Sequence, residues 1–198
     1  SVATTFASGD TLSLRNGTFT IGSNLAMSSG SYVIDDNGTL SASPTTYNGV
    51  NLIYANLGIN TSAVTAGNEL PSSFTGSVTV NKTGATITFN NTKTITGTVT
   101  LTAGTLDAST SNYGLSLSGD WTNNSGSSAF TARSGTVTFN GTSAQAIGGS
   151  ATTSFNNLTV TNSSAAVSVN TNVNVSGTLN MKGAATVLTP SSSIVLNA

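Results

Sequence analysis

The side chains that could carry out acid–base chemistry are few in this chain and lie far apart. Cleavage of a glycosidic bond needs two carboxylates that face each other across the substrate. Asp107 and Asp120 are thirteen residues apart, a spacing that brings them face to face only by an accident of chain geometry. Both also fit turns next to glycine. We therefore predict no catalytic residue and no enzymatic activity. The full set of acidic residues is Asp10, Asp35, Asp36, Glu69, Asp107 and Asp120.

Metal and cofactor chemistry has no better support in the sequence. There is no His and no Cys, so the commonest metal ligand, disulfides and thiolates are all missing. The densest polar stretch is Asp35-Asp36-Asn37-Gly38. Calcium loops need several oxygen ligands at fixed spacing, whereas Asn-Gly accepts the positive φ of a tight turn. We interpret the stretch as a turn and predict no metal site and no cofactor.

Charge and hydropathy exclude two classes of partner. The net charge is −1, from five basic and six acidic residues scattered one by one. Nucleic-acid binding needs a basic patch, and none is present. No apolar run approaches the roughly 18 residues that suggest a membrane span. We predict no nucleic-acid partner and no transmembrane segment.

Aromatic side chains are the remaining candidates for ligand contact. Trp121 is the sole tryptophan, and with Tyr47 and Tyr54 it could form a platform on which a sugar ring stacks. The alternative is that Trp121 fills a wide part of the core, as large aromatic side chains usually do. The sequence leaves both interpretations open.

The elements that must position these residues are short strands. Residues 94–107 read TITGTVTLTAGTLD, in which apolar residues alternate with Thr and other small residues. Such alternation indicates a half-buried strand, because successive side chains point to opposite faces. The same alternation recurs in TLSL, TFTI, SVTV, ATITF, TVTF and VSVN. The chain is therefore predicted to be all-β.

A repeat can be checked position by position. An offset of 80 residues places Val78 on Leu158 and Val99 on Leu179 without a gap. Strand phrases recur about every twenty residues, a period typical of solenoids. We predict a single-chain parallel β-helix (β-solenoid) of about nine or ten coils, a rod about 45 Å long at about 4.8 Å per coil. A β-sandwich is the alternative.

One segment breaks this rhythm. Residues 43–76 open with Pro44, contain the strand phrase NLIYA and then run on with weaker patterning. Long connections without their own structure are uncommon in compact domains. We therefore predict one β-solenoid domain over residues 1–198, with an irregular excursion or insertion at 43–76.

Residues 121–161 carry a resemblance to a known class of protein. They read WTNNSGSSAFTARSGTVTFNGTSAQAIGGSATTSFNNLTVT, and a VNVSGTLNM phrase follows. This order resembles the Ser/Thr/Asn-rich parallel β-helix repeat regions of large secreted bacterial surface proteins and adhesins of the Bacteroidota type. The resemblance covers residues 76–198 well and 1–42 loosely. It implies export to the cell surface and an extended role in display, adhesion or fibre building.

The ends of the chain suggest how such a protein assembles. Solenoids normally cap their ends with polar or helical elements, and neither end of this sequence has one. We expect an extracellular structural subunit or segment of a filament or stalk, paired with other copies or with flanking repeats of a longer chain. The alternative is an adhesin segment that binds glycan or another surface. The predicted assembly residues are Val2, Phe6, Ile194, Val195 and Leu196.

Overall fold

The computed structural model describes residues 4–22, 24–58, 61–162, 164–182 and 188–196. Within those ranges every regular element is a β-strand. None of the described residues forms a helix of the length and apolarity needed to cross a membrane. The strands are β1 (Thr4–Phe6), β2 (Thr11–Phe19), β3 (Leu25–Met27), β4 (Tyr32–Leu40), β5 (Thr46–Tyr47), β6 (Asn51–Ala55), β7 (Val64–Thr65), β8 (Ser73–Phe74), β9 (Ser77–Thr88), β10 (Lys93–Ile95), β11 (Val99–Asp107), β12 (Leu115–Leu117), β13 (Trp121–Asn123), β14 (Phe130–Thr131), β15 (Thr136–Phe139), β16 (Gln145–Gly148), β17 (Thr153–Phe155), β18 (Asn157–Val160), β19 (Val167–Val169), β20 (Val173–Val175), β21 (Leu179–Met181), β22 (Leu188–Pro190) and β23 (Ile194–Leu196).

The strands form a parallel β-solenoid of about nine coils, as the sequence predicts. One long sheet takes a strand from every coil, in the order β2-β4-β6-β9-β11-β13-β16-β19-β22. We number the coils 1 to 9 by these strands. A second face consists of β1-β3-β5 followed by β8-β10-β12-β15-β18-β21, and a third face contains β17-β20-β23. In coils 7 to 9 the chain therefore passes from the second face to the long sheet and on to the third face.

All strand pairings among the described residues are parallel and connect consecutive coils. A β-sandwich is built from antiparallel sheets with Greek-key connections. The pairing pattern therefore excludes the sandwich alternative. Parallel pairing without intervening helices is possible because each strand returns only after a full turn of the coil.

Interior side chains form rows that run along the stack. On the long sheet the alternation of the sequence points every second residue inward, and the register aligns these positions from coil to coil. All members of the first interior row are apolar, and all are buried except the last, which lies in coil 9. The row contains Leu12, Val33, Leu52, Val78, Val99, Trp121, Ile147, Val169 and Pro190.

The repeat inferred from the 80-residue offset is shifted by one face. The row of Val99 continues to Val169, while Leu179 pairs with Leu158 on the second face. All three faces use the same inward–outward–inward triplets, so a shift of one face still aligns apolar with apolar residues. The offset therefore detects the strand pattern but assigns Val99 and Leu179 to the same row incorrectly.

The turn predicted at Asp35-Asp36-Asn37-Gly38 is a bend inside a strand, and the neighbouring strand has a matching bend. Asn16-Gly17 lies within β2 and Asp36-Asn37 within β4, and the register between these strands shifts at both places. Asn16, Gly17 and Asn37 have φ of 41°, 100° and 65°, as expected for a left-handed bulge. The Asn-Gly signals are thus read correctly as positive φ. They mark a corner that each strand turns without leaving its neighbour.

The irregular part of residues 43–76 is shorter than expected. The segment contributes β5, β6, β7 and β8, and all four strands pair within the stack. It therefore belongs to coils 3 and 4 and is not an insertion outside them. The departures from regularity are the connections on either side of β7. This coil is long: Leu52 and Val78 are register partners 26 residues apart, against 19 for Val33 and Leu52.

Candidate functional site

The three aromatic residues predicted as ligand contacts all lie inside the solenoid. Trp121 and Tyr54 are fully buried and Tyr47 nearly so. Their positions correct the prediction of a sugar-stacking platform, since none offers its ring face to solvent. The reason is register: Trp121 occupies the first interior row, and Tyr54 and Tyr47 take the equivalent inward positions on β6 and β5.

Trp121 is the centre of an aromatic cluster, as the core-filling alternative proposes. Its ring meets Phe130 and Phe155 edge to face, with centroids 5.0 and 5.5 Å apart, the geometry that aromatic quadrupoles favour. Phe139 joins through Phe155 at 6.4 Å. The indole Nε1 donates to the Thr153 hydroxyl over 3.0 Å, so its polar atom is satisfied. We refer to Trp121, Phe130, Phe139 and Phe155 as the aromatic cluster.

Tyr47 and Tyr54 instead donate hydrogen bonds to Glu69, which is buried. The Tyr54 hydroxyl donates to Glu69 Oε1 at 3.0 Å, and the Gly67 N–H donates to the same oxygen at 2.6 Å. The Tyr47 hydroxyl donates to the backbone carbonyl of Glu69 at 2.7 Å. Oε2 of Glu69 is buried and has no hydrogen-bond partner. Tyr54 thus holds the carboxyl group of Glu69 in the core, and Tyr47 holds the backbone of the same residue.

Four further charged side chains are buried in the same part of the stack, and with Glu69 they form what we call the buried charge cluster. All are buried, and all come from coils 2 to 5. Their inward positions follow from register. Asp35 lies in the row of Leu14, Tyr54 and Val80, and Lys93 in the row of Leu115, Val137 and Leu158. The members of the buried charge cluster are Asp35, Asp36, Glu69, Lys82 and Lys93.

Each cation of the cluster has specific partners. Lys82 Nζ contacts Asp36 Oδ1, and the other oxygen of Asp36 accepts the Leu57 N–H at 3.0 Å. Lys93 Nζ donates to the Leu70 carbonyl and, at 2.7 Å, to Asn90 Oδ1. Lys82 thus has a carboxylate partner, whereas Lys93 is held by neutral oxygens.

Burial shifts the protonation of the cluster. Desolvation first, then the charge of Glu69, raises the pKa of Asp35 to about 7, although the Gly38 N–H and Lys82 act in the opposite direction. Asp35 Oδ2 is buried without a partner, which fits a carboxyl group that keeps its proton. Desolvation lowers the pKa of Lys93 to about 8. Burial also raises the pKa of both Tyr47 and Tyr54.

Comparisons with protein-family models, curated proteins and solved structures find no match to this chain.

Sequence reasoning missed the charge cluster because its members are far apart in the chain. A signal was present, since Asp35 continues the inward alternation of Tyr32–Leu40 through Val33. The Asn37-Gly38 pair, which is typical of a tight turn, led instead to the prediction of a turn. Among the described residues no group of three or more acidic, His or Cys side chains is arranged to hold a metal ion. The cluster is buried, so the chemistry open to it is proton transfer and reaction between its own members.

Asp107 and Asp120 make contacts that hold neighbouring backbone and consecutive coils together. Asp107 forms a bidentate pair with Arg133, with Nη2 and Nε at 2.7 and 3.0 Å from its oxygens, and also accepts the Ser109 N–H. The hydrogen bond from Arg133 is the main cause that lowers the pKa of Asp107. Asp120 accepts the Ala146 N–H at 2.8 Å. The Ser109 contact is the turn chemistry expected of Asp107, whereas the contacts to Arg133 and Ala146 connect consecutive coils.

The predicted assembly residues lie at the two ends of the stack, except Val2, which is outside the described residues. Phe6 is half-buried and begins an inward row through Met27 and Tyr47. Ile194 and Leu196 end inward rows through Val173 and Val175, while Val195 points outward. Leu196 is 60 % exposed because no coil of the described structure covers it.

Proposed function

We propose that this protein is an extracellular structural element, a β-solenoid subunit or segment of a cell-surface filament or stalk that continues by stacking coil on coil. The observation that carries the proposal is the state of the interior rows at both ends of the described stack. On the second face, one inward position is held by Phe6 in coil 1 and by Met181 in coil 9. Met181 is 41 % exposed, whereas Val160, its partner in coil 8, is buried.

Backbone geometry supports the same proposal. The end strands β2 and β22 each have one neighbour within the described long sheet, so each presents a row of unpaired N–H and C=O groups. Contact between the coil 9 end of one molecule and the coil 1 end of the next is head-to-tail, and such contacts give open filaments when they do not close a ring. The apolar side chains left uncovered at the ends would then continue the interior rows.

One residue limits where new pairing can form. The Ser191 N–H donates to the Val169 carbonyl of β19. The backbone groups on either side of Pro190 therefore face β19, and the nitrogen of Pro190 faces the side of the sheet that has no neighbouring strand among the described residues. Proline has no N–H to offer a neighbour, a feature typical of protected edge strands. We therefore expect the second and third faces, through β21 and β23, to contribute most of the pairing.

The adhesin alternative has less support. It depended on Tyr47, Tyr54 and Trp121, which are buried, and on the segment 43–76, whose strands pair within the stack. We therefore do not propose a second function.

A pair of charge substitutions tests the proposal. Leu196→Lys places a cation on the uncovered third face of coil 9. Ser116→Lys places the same charge on the outside of β12, in the middle of the stack, as the matched control. Sedimentation velocity over a range of protein concentrations should show large assemblies for the parent protein and the control, and loss of assembly for Leu196→Lys. Equal behaviour of all three proteins would contradict the proposal.

A further inference from the structure

A lysine and an aspartate from different coils meet inside the corner that follows the long sheet. Lys82 on β9 contacts Asp36 on β4, 46 residues earlier in the chain. Coils 2 and 4 are not neighbours in the ladder, since β6 lies between them. The Lys82 side chain therefore spans coil 3, and the Leu57 N–H of that coil donates to the second oxygen of Asp36.

The pair is largely withdrawn from solvent. Lys82 is fully buried and the side chain of Asp36 is 7 % exposed. Removing two charges from water is costly even when they are paired, so a reaction that converts both into a neutral group is favoured. Transfer of one proton from the ammonium to the carboxylate gives a neutral amine next to a neutral carboxylic acid. A neutral, desolvated lysine amine is a nucleophile.

We propose that Lys82 and Asp36 react to form an intramolecular amide cross-link between coil 2 and coil 4. The Nζ lone pair of Lys82 forms a bond to Cγ of Asp36, and one C–O bond of the carboxyl group breaks. The departing hydroxyl takes a proton that the nitrogen loses, so the reaction releases one water molecule. No oxidant, reductant or other reactant is required, and two buried charges become one neutral amide.

Two neighbouring groups are suited to assist the reaction. The Leu57 N–H at 3.0 Å from Asp36 Oδ2 can stabilise the negative charge that develops on this oxygen as nitrogen attacks. Asp35, the preceding residue, interacts electrostatically with Lys82 and has a buried, unpartnered Oδ2. Its carboxyl group can give a proton to the departing hydroxyl and accept one from the nitrogen.

Lys93 provides an internal contrast. It is as deeply buried as Lys82, yet its amine is held by a backbone carbonyl and by Asn90 Oδ1. Asn90 is only three residues away, so a bond between these two side chains would close a small local ring and join no coils. It would also release ammonia. The two lysines therefore give different chemical signatures.

Mass spectrometry of the purified protein tests the proposal. The intact chain should be lighter than its sequence by one water, about 18 Da, whereas a Lys93–Asn90 bond would remove about 17 Da. After denaturation, trypsin should fail to cut after Lys82, because an acylated lysine is not recognised. Residues 16–93 should then appear as one peptide that lacks one water, and residues 16–82 and 83–93 should not appear.

Variants separate this bond from other sources of mass loss. Lys82→Met should have the full mass of its sequence, while Lys93→Met, the matched control, should still lack one water. Asp35→Asn should form the bond more slowly. Full mass in the parent protein after prolonged incubation would overturn the proposal. A loss of water with normal cleavage after Lys82 would also overturn it, because that result marks an aspartate that has closed on its own backbone.

Discussion

Two regions of one solenoid fill the same interior in opposite ways. In coils 6 and 7 the aromatic cluster packs edge to face, and its polar indole N–H is satisfied by Thr153. In coils 2 to 5 the interior also holds the buried charge cluster and two tyrosines. The ladder of parallel strands runs through both regions with the same coil-to-coil pairing. The backbone thus defines the fold, and the interior accepts both apolar and charged side chains.

The aromatic cluster and the buried charge cluster should respond differently to pH. Packing of aromatic rings depends on shape and area and is insensitive to pH. A cluster of buried titratable groups is stable only in certain protonation states. The following experiments test the two regions and one ion pair outside them, beginning with the largest expected effect.

Removal of the central ring should be the most damaging change. Trp121→Ala deletes a fully buried side chain and leaves a cavity among Phe130 and Phe155, which should cost about 3–5 kcal/mol of the free energy of unfolding. Urea denaturation at pH 5 and pH 8 should give the same loss at both values. Trp121→Phe is the control that keeps an aromatic ring but loses the bond to Thr153. A loss below about 1 kcal/mol for Trp121→Ala would show that the cluster is not central to the core.

Asp35 should make stability depend on pH. Its pKa is raised from 3.8 to about 7 in the folded protein, so the folded state binds a proton more tightly than the unfolded state. The contribution of Asp35 to stability is therefore fully present below pH 4, is lost as pH rises from 4 to 7, and is constant above. The fall from this group should be about 4 kcal/mol. Asp35→Asn should flatten the profile, while Asp10→Asn, an exposed control, should leave it unchanged. An equally steep fall in Asp35→Asn would refute this assignment.

Glu69 should affect Asp35 through charge alone. Glu69→Gln keeps an oxygen acceptor for Tyr54 and Gly67, but it removes the negative charge that raises the pKa of Asp35. The titration midpoint of Asp35, followed by carboxyl carbon NMR, should move below about 7. The change in the free energy of unfolding should be smaller, about 1–2 kcal/mol. An unchanged midpoint would mean that desolvation accounts for the whole shift.

The surface ion pair should matter least. Arg133→Gln removes the partner that lowers the pKa of Asp107, so the pKa of Asp107 should rise toward its ordinary value. Surface pairs contribute little to stability and are screened by salt. Thermal denaturation of Arg133→Gln and of the parent protein should coincide at high salt. A clear difference at high salt would indicate that the pair also holds the corner between β14 and β15.

The parallel solenoid and the number of its coils could be predicted from the sequence, because alternation and spacing are local features. The strand phrases from Thr11–Phe19 onward are strands in the structure. The corners could not be predicted so well. Asn37 has the positive φ that Asn-Gly suggests, but whether the chain turns back or bends and continues depends on the neighbouring coil.

Which residues share an interior row could not be predicted from the sequence, for the same physical reason. The distance along the chain between register partners on the long sheet varies between 19 and 26 residues, so no fixed period places Asp36 beside Lys82. Contacts across coils set the burial of Trp121 and Tyr54, and those depend on the whole stack. The export and assembly expected from the resemblance remain predictions.

Electron microscopy of the purified 198-residue chain tests the central claim, that the stack continues from one molecule to the next, most directly. We expect unbranched filaments of one solenoid's width, made without any other component, with an axial spacing of about 4.8 Å between coils. Leu196→Lys should yield short single rods under the same conditions. Monodisperse short rods from the parent protein at every concentration would contradict assembly through the coil ends.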